Sequence, residues 1–307
     1  MQSWYERATS RWTEWDPAAL LAAKAGTTVS VVIPARNEAA TIEAIVAGIR
    51  RDLVENLPLV DELIVIDSDS VDGTAELAEA AGARAYAARE IRPELGGYPG
   101  KGEALWKSQF VSTGDVLVFV DADLTGWGTH FVSGLLGPLL TQRGTNLVKG
   151  FYDRLLDDGS GEHAPQGGRV TELVARPLLN LHWPALARVV QPLAGEWAIR
   201  RSTFAGLNVP VGYGVELATL LDVSQADGLD AVAQVDLGER AHAHQSVHDL
   251  GVMAAEILLV AARRSGTAPQ TDGRLWQFDR SEPTGWRPRD VPVTERPPAA
   301  SIAPPQR

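Results

Sequence analysis

Between residue 28 and about residue 124 the chain alternates dense apolar runs with segments of helical period. The runs 28–33 (TVSVVI), 63–66 (LIVI) and 116–120 (VLVFV) place apolar side chains at consecutive positions, the pattern of strands covered on both faces. A weaker strand is predicted over 84–87. Helices are predicted from Thr41, from the turn at Gly73-Thr74 through about Ala81 with Gly82 placed to end it, and over 103–112. Alternating strands and helices imply an α/β, doubly wound, mostly parallel sheet flanked by helices.

Each run stops in a polar cluster: Pro34-Ala35-Arg36-Asn37-Glu38, Asp67-Ser68-Asp69-Ser70-Val71-Asp72-Gly73-Thr74, and Asp121-Ala122-Asp123. In open α/β sheets ligands lie beyond the carboxyl ends of the strands, so these clusters are expected to converge on one crevice.

The second half is less regular. Strands are predicted at 146–151 and 231–237, and a loop at 163–168 leads into Arg169-Val170-Thr171-Glu172 and a helix through Leu181. Further turns carry Glu196 and Glu216, with a helix behind the second, and a helix over 247–263 closes the folded part. Residues 1–27 read as short helices with Trp4, Tyr5, Trp12 and Trp15 toward one side, an apolar stripe that docks an arm. From 265 onward Pro, Gly, Ser, Thr and Arg dominate, predicting an extended or disordered tail whose Trp276, Phe278 and Trp286 leave room for a docked arm. The expected division is 1–27, an N-terminal helical arm; 28–145, an α/β subdomain; 146–264, a smaller C-terminal region; and 265–307, the tail.

Composition narrows the chemistry. The chain has 307 residues, 45% apolar, with a net charge of −11, which disfavours a general nucleic-acid or anionic-membrane surface. It has no cysteine, so metal ligands must be Asp, Glu, His or backbone oxygen. No signal-peptide pattern or membrane-length apolar window is present, and the cytoplasm is the expected location. Neither a Gly-x-Gly-x-x-Gly fingerprint nor a Gly-x-x-x-x-Gly-Lys-Ser/Thr loop occurs.

Asp121 and Asp123 offer hard oxygens for Mg²⁺ or Mn²⁺ that also takes oxygens from a diphosphate; the alternative is a turn in which Asp caps a helix. Gly100-Lys101-Gly102-Glu103 combines close backbone approach, a helix start and a cation, suiting a phosphate, or is a capped helix with a solvated lysine. Arg169 and Thr171 at a helix start form a second candidate anion site, against a surface Arg with a capping Thr. Glu196 and Glu216 are candidate sugar-hydroxyl acceptors or bases, or simply acids at helix starts. His242, after a strand end, can complete a metal shell or be a hydrogen-bonded loop residue.

The order of these motifs resembles the nucleotide-sugar glycosyltransferases of the GT-A fold. More narrowly, Pro99-Gly100-Lys101-Gly102-Glu103-Ala104-Leu105-Trp106, the run from Gly168-Arg169-Val170-Thr171 to Pro177-Leu178, Pro192-Leu193-Ala194-Gly195-Glu196, Gly212-Tyr213-Gly214-Val215-Glu216 and Arg240-Ala241-His242 resemble the glucosyl-3-phosphoglycerate synthases. The resemblance implies transfer of glucose from UDP-glucose to the 2-hydroxyl of 3-phosphoglycerate with retention, supported by Mg²⁺ or Mn²⁺, in a homodimer with no nucleic-acid or membrane partner. It makes 28–145 the nucleotide-sugar-binding subdomain and 146–264 the acceptor-binding one, and assigns Pro34, Ala35, Glu38, Ser68, Lys101, Asp121, Ala122 and Glu216 to the nucleotide sugar, and Asp123 and His242 to the metal. Gly168, Arg169, Thr171, Tyr213, His242 and His244 fall to the acceptor, and Asp123, Glu216 and Lys101 to catalysis. The chain departs from the family pattern at Arg36, Asp69, Ala122, Ala194 and His244. A mannosyl-3-phosphoglycerate synthase using GDP-mannose is the alternative within the class; a lipid or polysaccharide glycosyltransferase, a nucleotidyltransferase and a non-catalytic nucleotide-sugar-binding module are more distant ones.

Overall fold

The structure is a computed structural model that describes residues 3–155, 168–241, 246–267 and 270–303. Its strands are β1 (Thr9–Arg11), β2 (Val29–Ala35), β3 (Glu62–Asp67), β4 (Arg84–Ala87), β5 (Val116–Phe119), β6 (Leu147–Leu155), β7 (Trp197–Arg200), β8 (Val209–Pro210), β9 (Val232–Ala241), β10 (Arg274–Phe278), β11 (Trp286–Asp290) and β12 (Glu295–Arg296). Helices are α1 (Trp4–Ala8), α2 (Pro17–Lys24), α3 (Ile42–Ile49), α4 (Thr74–Ala81), α5 (Lys101–Ser108), α6 (His130–Thr141), α7 (Arg176–His182), α8 (Arg201–Ala205), α9 (Val215–Asp227) and α10 (Val247–Arg264).

Eight strands form one sheet in the order β1-β9-β6-β7-β5-β2-β3-β4. Only β7 runs antiparallel to its neighbours β5 and β6. The expected mostly parallel sheet is therefore present, and it continues without a break across the division drawn at residue 145.

The consecutive apolar runs behave as two interleaved faces. Val31, Ile33, Val65, Val116 and Val118 pack into one core, with Ile42, Ile45 and Leu135. Val32, Ile64, Ile66, Leu117 and Phe119 pack into the other, with Leu105, Trp106 and Leu217. Alternation of side chains across a strand covered on both sides explains why every position is apolar.

Three expectations are corrected. No element was expected between Leu124 and Asn146, yet α6 lies there; Gly134, Gly137 and Pro138 inside it hid the helical signal. Those glycines receive the N-terminal arm: a Cβ on Gly137 would lie 2.3 Å from the Trp15 ring, and one on Gly134 3.1 Å from Trp12. The arm itself is not purely helical, because β1 adds a parallel edge strand to β9. The tail, expected to be extended or disordered, is an ordered arm over its described residues. Its β10–β11 hairpin joins α10 through a hydrogen bond from Gln277 to the His248 carbonyl, and β12 pairs with β8. Buried Arg296 and Val291 supply the anchorage that composition could not reveal.

Candidate active site

The loops following β2, β3 and β5 leave the carboxyl ends of neighbouring parallel strands. They open into a cavity of about 730 Å³ whose walls include Pro34, Ala35, Glu38, Ser68, Lys101, Asp121, Ala122, Asp123, Gly168, Arg169, Thr171, Tyr213 and Glu216. The strand-end loops are latched to one another. Asn37, at φ 58°, donates its N–H to Ser70 Oγ and accepts from the Val71 N–H, while Glu38 N–H reaches Thr74 Oγ1 at 2.8 Å. Asp72 accepts from the Ala39 N–H and from Thr74. The Thr41 hydroxyl donates to the Ala122 carbonyl at 2.6 Å, tying the β2 loop to the Asp121-Ala122-Asp123 turn.

Lys101, the first residue of α5, bridges two carboxylates: its Nζ lies 2.5 Å from Asp121 Oδ1 and 2.8 Å from Glu216 Oε1. Burial works against its charge, but these two partners outweigh that and hold its pKa well above the ordinary lysine value. The glycines around it differ in purpose from the phosphate-loop expectation. A Cβ on Gly102 would sit 1.8 Å from the Pro210 carbonyl oxygen, and one on Gly100 2.4 Å from that of Val211. The Gly102 and Glu103 N–H groups donate to the Gly212 and Val211 carbonyls. Those amides are therefore spent on packing α5 against the β8 segment, and Lys101 alone brings cationic charge from this loop to the cavity.

The Asp121-Ala122-Asp123 turn faces a second cation, Arg240 from β9, which is 2% exposed. Its guanidinium donates to Asp123 Oδ1 at 2.6 Å, Glu196 Oε1 at 2.9 Å and the Tyr152 hydroxyl at 2.8 Å, and lies 3.5 Å from Asp121 Oδ2. Burial opposes its charge, and the surrounding carboxylates, Glu196 foremost, keep it protonated. Glu196 is fully buried and precedes strand β7 rather than starting a helix. It supports Arg240 from beneath and does not face the cavity. Gly195 is small for a local reason: a Cβ there would fall 2.1 Å from the Asp121 carboxylate.

On the β2 side of the crevice, acidic side chains nonetheless crowd around Glu38. Burial, then Asp123, Asp121 and Asp72, push the Glu38 carboxyl up to about 7. Carboxylates crowded until one resists ionisation provide a donor set suited to a hard divalent cation. Asp123, with its side chain 42% exposed, is the acid of the turn more open to such an ion. Among the described residues, however, no group of three or more His, Asp or Glu is arranged as a metal site. His242 and His244, expected at the metal and acceptor, lie outside the described residues, so Asp123 is the one expected metal ligand whose position is described.

The opposite wall is less regular. Arg169 is exposed and Thr171 buried at the start of a π-type turn, Thr171–Ala175, that runs into α7. Tyr213 precedes α9, whose second residue is Glu216. Behind Tyr213, the Glu256 carboxylate of α10 accepts its N–H at 2.5 Å, and burial pushes that carboxyl up to about 7. Leu250 and Met253, from the same helix, give this wall an apolar surface. Below the floor, Lys149 of β6 donates to the Ala194 carbonyl at 2.7 Å; burial pulls its amine down to about 8.

Every residue that the resemblance assigns to the site within the described segments thus lines one cavity, whereas the candidate acid Glu196 stands behind it. Sequence reasoning missed the cavity role of Arg240, Leu250 and Met253, and the supporting roles of Lys149 and Glu256. A lone arginine ending a buried strand was a usable signal for Arg240, since an unpaired buried guanidinium is too costly to be incidental. The α10 residues gave none, because their helical pattern matches that of any packed helix.

Residues 30–141 match the family model for glycosyl transferase family 2. The chain is 46% identical over 300 residues to a glucosyl-3-phosphoglycerate synthase of Mycolicibacterium paratuberculosis, spanning 94% of this chain and 89% of that protein. It is 40% identical over 281 residues to one from Petrotoga mobilis, spanning 89% and 86%. Among solved structures, the Mycobacterium tuberculosis glucosyl-3-phosphoglycerate synthase in complex with Mn²⁺, UDP-glucose and phosphoglyceric acid superposes with a TM-score of 0.83 at 44% identity, covering 93% of this chain and 94% of the other. The complex of that enzyme with Mn²⁺, UDP and glucosyl-3-phosphoglycerate gives a TM-score of 0.82 at 44% identity, covering 93% and 95%.

Proposed function

The chain belongs to the glucosyl-3-phosphoglycerate synthases, and from that premise we propose which of its residues carry each part of the reaction. The protein is a metal-dependent GT-A-fold hexosyltransferase that moves glucose from UDP-glucose to 3-phosphoglycerate. The observation that carries the residue assignment is the single cavity in which Lys101, Asp121, Asp123, Arg169, Thr171, Tyr213 and Glu216 meet.

In this reading Pro34, Ala35, Glu38, Ser68, Asp121 and Ala122 hold the nucleotide, and Glu216 contacts the donor glucose. Asp123 would hold the divalent metal, with His242 as its expected partner. When bound, Mg²⁺ or Mn²⁺ neutralises charge on the departing diphosphate. Lys101 adds fixed positive charge to that wall, and its ion pairs orient both Asp121 and Glu216. Gly168, Arg169 and Thr171 take the anionic groups of the acceptor, with Tyr213, His242 and His244 beside it; guanidinium and hydroxyl together suit a phosphate or carboxylate.

The acceptor's 2-hydroxyl forms the new bond to the anomeric carbon as the bond to the diphosphate breaks. Retention is read as front-face attack, in which a diphosphate oxygen takes the hydroxyl proton. Support comes from three carboxylates of the cavity: Asp121 and Glu216 are engaged by Lys101, and Asp123 by Arg240, so each of these is held by a cation instead of poised as a nucleophile.

Incubation with 3-phosphoglycerate, Mg²⁺ or Mn²⁺ and each of UDP-glucose, GDP-glucose and GDP-mannose tests the reading. Product with UDP-glucose is expected; turnover only with GDP-mannose contradicts the donor assignment.

A homodimer is part of the proposal. Exposed apolar side chains occur on the turn before α7 (Leu173), α7 itself (Leu181), α10 (Leu258) and the β10–β11 hairpin (Trp276, Phe278 and Trp286). Light scattering should give twice the 32.9 kDa of one chain; a monomer at micromolar concentration contradicts it. No helix among the described residues is long and apolar enough to cross a membrane. We place the protein in the cytoplasm because both substrates are charged metabolites that do not cross bilayers unaided.

A further inference from the structure

The nucleotide side of the cavity includes a stretch with no regular structure of its own. Gly97, Tyr98, Pro99 and Gly100 line the cavity between a short 3-10 turn, Pro93–Leu95, and α5. Arg92, Gly96 and Gly100 adopt positive φ there, so the chain does not settle into a repeating conformation.

Its support comes from the far end of the sequence. Arg296 in β12 is 6% exposed, and its guanidinium donates to both oxygens of Glu103, at 2.7 and 2.6 Å. It also donates to the Leu95 carbonyl at 2.8 Å and the Gly96 carbonyl at 3.0 Å. Its plane lies 4.6 Å from the Tyr98 ring centroid and 4.7 Å from that of Trp106. One side chain therefore fixes the start of the loop, its central aromatic and the first turn of α5. Arg296 is itself held in place: β12 pairs with β8, Trp106 Nε1 donates to the Pro297 carbonyl at 2.8 Å, and Arg264 pairs with Glu295 at 2.9 Å.

We propose that Arg296 is a positioning residue for donor binding: from the C-terminal arm it holds residues 95–103 in the shape that completes the nucleotide wall, without touching the donor. The inference rests on the placement of the nucleotide at that wall. Four hydrogen bonds from a planar fork that also lies over two aromatic rings cannot be reproduced by an ammonium group, so Arg296→Lys is not a conservative change here. A merely structural role would weaken both substrates alike or lower stability alone. A positioning role separates them.

The test is calorimetric titration of UDP with Mn²⁺ into the full-length protein, together with steady-state kinetics. Arg296→Ala should raise the UDP Kd and the UDP-glucose KM at least tenfold while leaving the 3-phosphoglycerate KM within threefold, with Arg296→Lys between it and the wild type. A folded Arg296→Ala that binds UDP within twofold of wild type overturns the inference, as do equal rises in both KM values. If Arg296→Ala does not melt cooperatively, Arg296→Lys is judged by the same criteria; if neither folds, Arg296 is a general structural residue and the inference fails. Absence of UDP binding by the wild-type protein would instead count against the functional reading.

Discussion

On one side of the cavity, the loops after β2, β3 and β5 hydrogen-bond to each other, and Lys101 and Arg240 hold the acids of the Asp121-Ala122-Asp123 turn. On the other, Arg169, Thr171 and Tyr213 stand on a π-type turn and a short loop backed by α10. The first wall is a network of paired charges close to the sheet, so removing one member strands another. The second presents Arg169, Thr171 and Tyr213, to which we assign the anionic groups of the acceptor. Substitutions in the first should therefore strike turnover, and those in the second should strike acceptor affinity.

The largest expected effect is at Asp123. Asp123→Ala should lower kcat by a factor of about 10³ or more, since the metal's charge is lost from the leaving group and Arg240 loses a partner. Turnover within tenfold of wild type would remove Asp123 from the metal site. Next is Lys101→Met, which leaves Asp121 and Glu216 crowded without their shared cation. A fall of roughly 10²-fold or more in kcat/KM for the donor is expected, because unpairing buried charge costs about 3–5 kcal/mol. A change confined to the acceptor KM would erase the distinction between the two walls.

Arg169→Ala should act on the opposite wall alone, raising the 3-phosphoglycerate KM by about tenfold, the scale of one charge-assisted contact. The UDP-glucose KM should stay within twofold, and an unchanged acceptor KM would show that the anion site lies elsewhere.

The smallest effect concerns the backing of that wall. Glu256 is raised from 4.5 to about 7 by burial, so the contribution of its protonated form to stability is fully present below about 4.5 and lost as the pH rises through 7. Glu256→Gln keeps an acceptor for the Tyr213 N–H and should stabilise the protein by about 1–3 kcal/mol at pH 8, with little gain at pH 5. Thermal melting at the two pH values checks this; an equal shift at both would mean that burial of the charge is not the cause.

What the sequence determined by itself was the first wall. Uninterrupted apolar runs ending in Pro34, Asp67 and Asp121 specify strands buried on both faces, and parallel topology then forces their ends together, so local pattern and site coincide. The motif order carried the rest of the recognised residues. Tertiary structure alone decided what depends on distant partners. Arg240 meets Asp123 across 117 residues and Arg296 meets Glu103 across 193. The glycines flanking Lys101 are required by the close approach of the Pro210 and Val211 carbonyls, at and just after β8. Helix α6 was hidden because its glycines answer to Trp12 and Trp15. In each case the residue is explained by shape or charge supplied from elsewhere in the fold, and a local pattern carries no record of that supply.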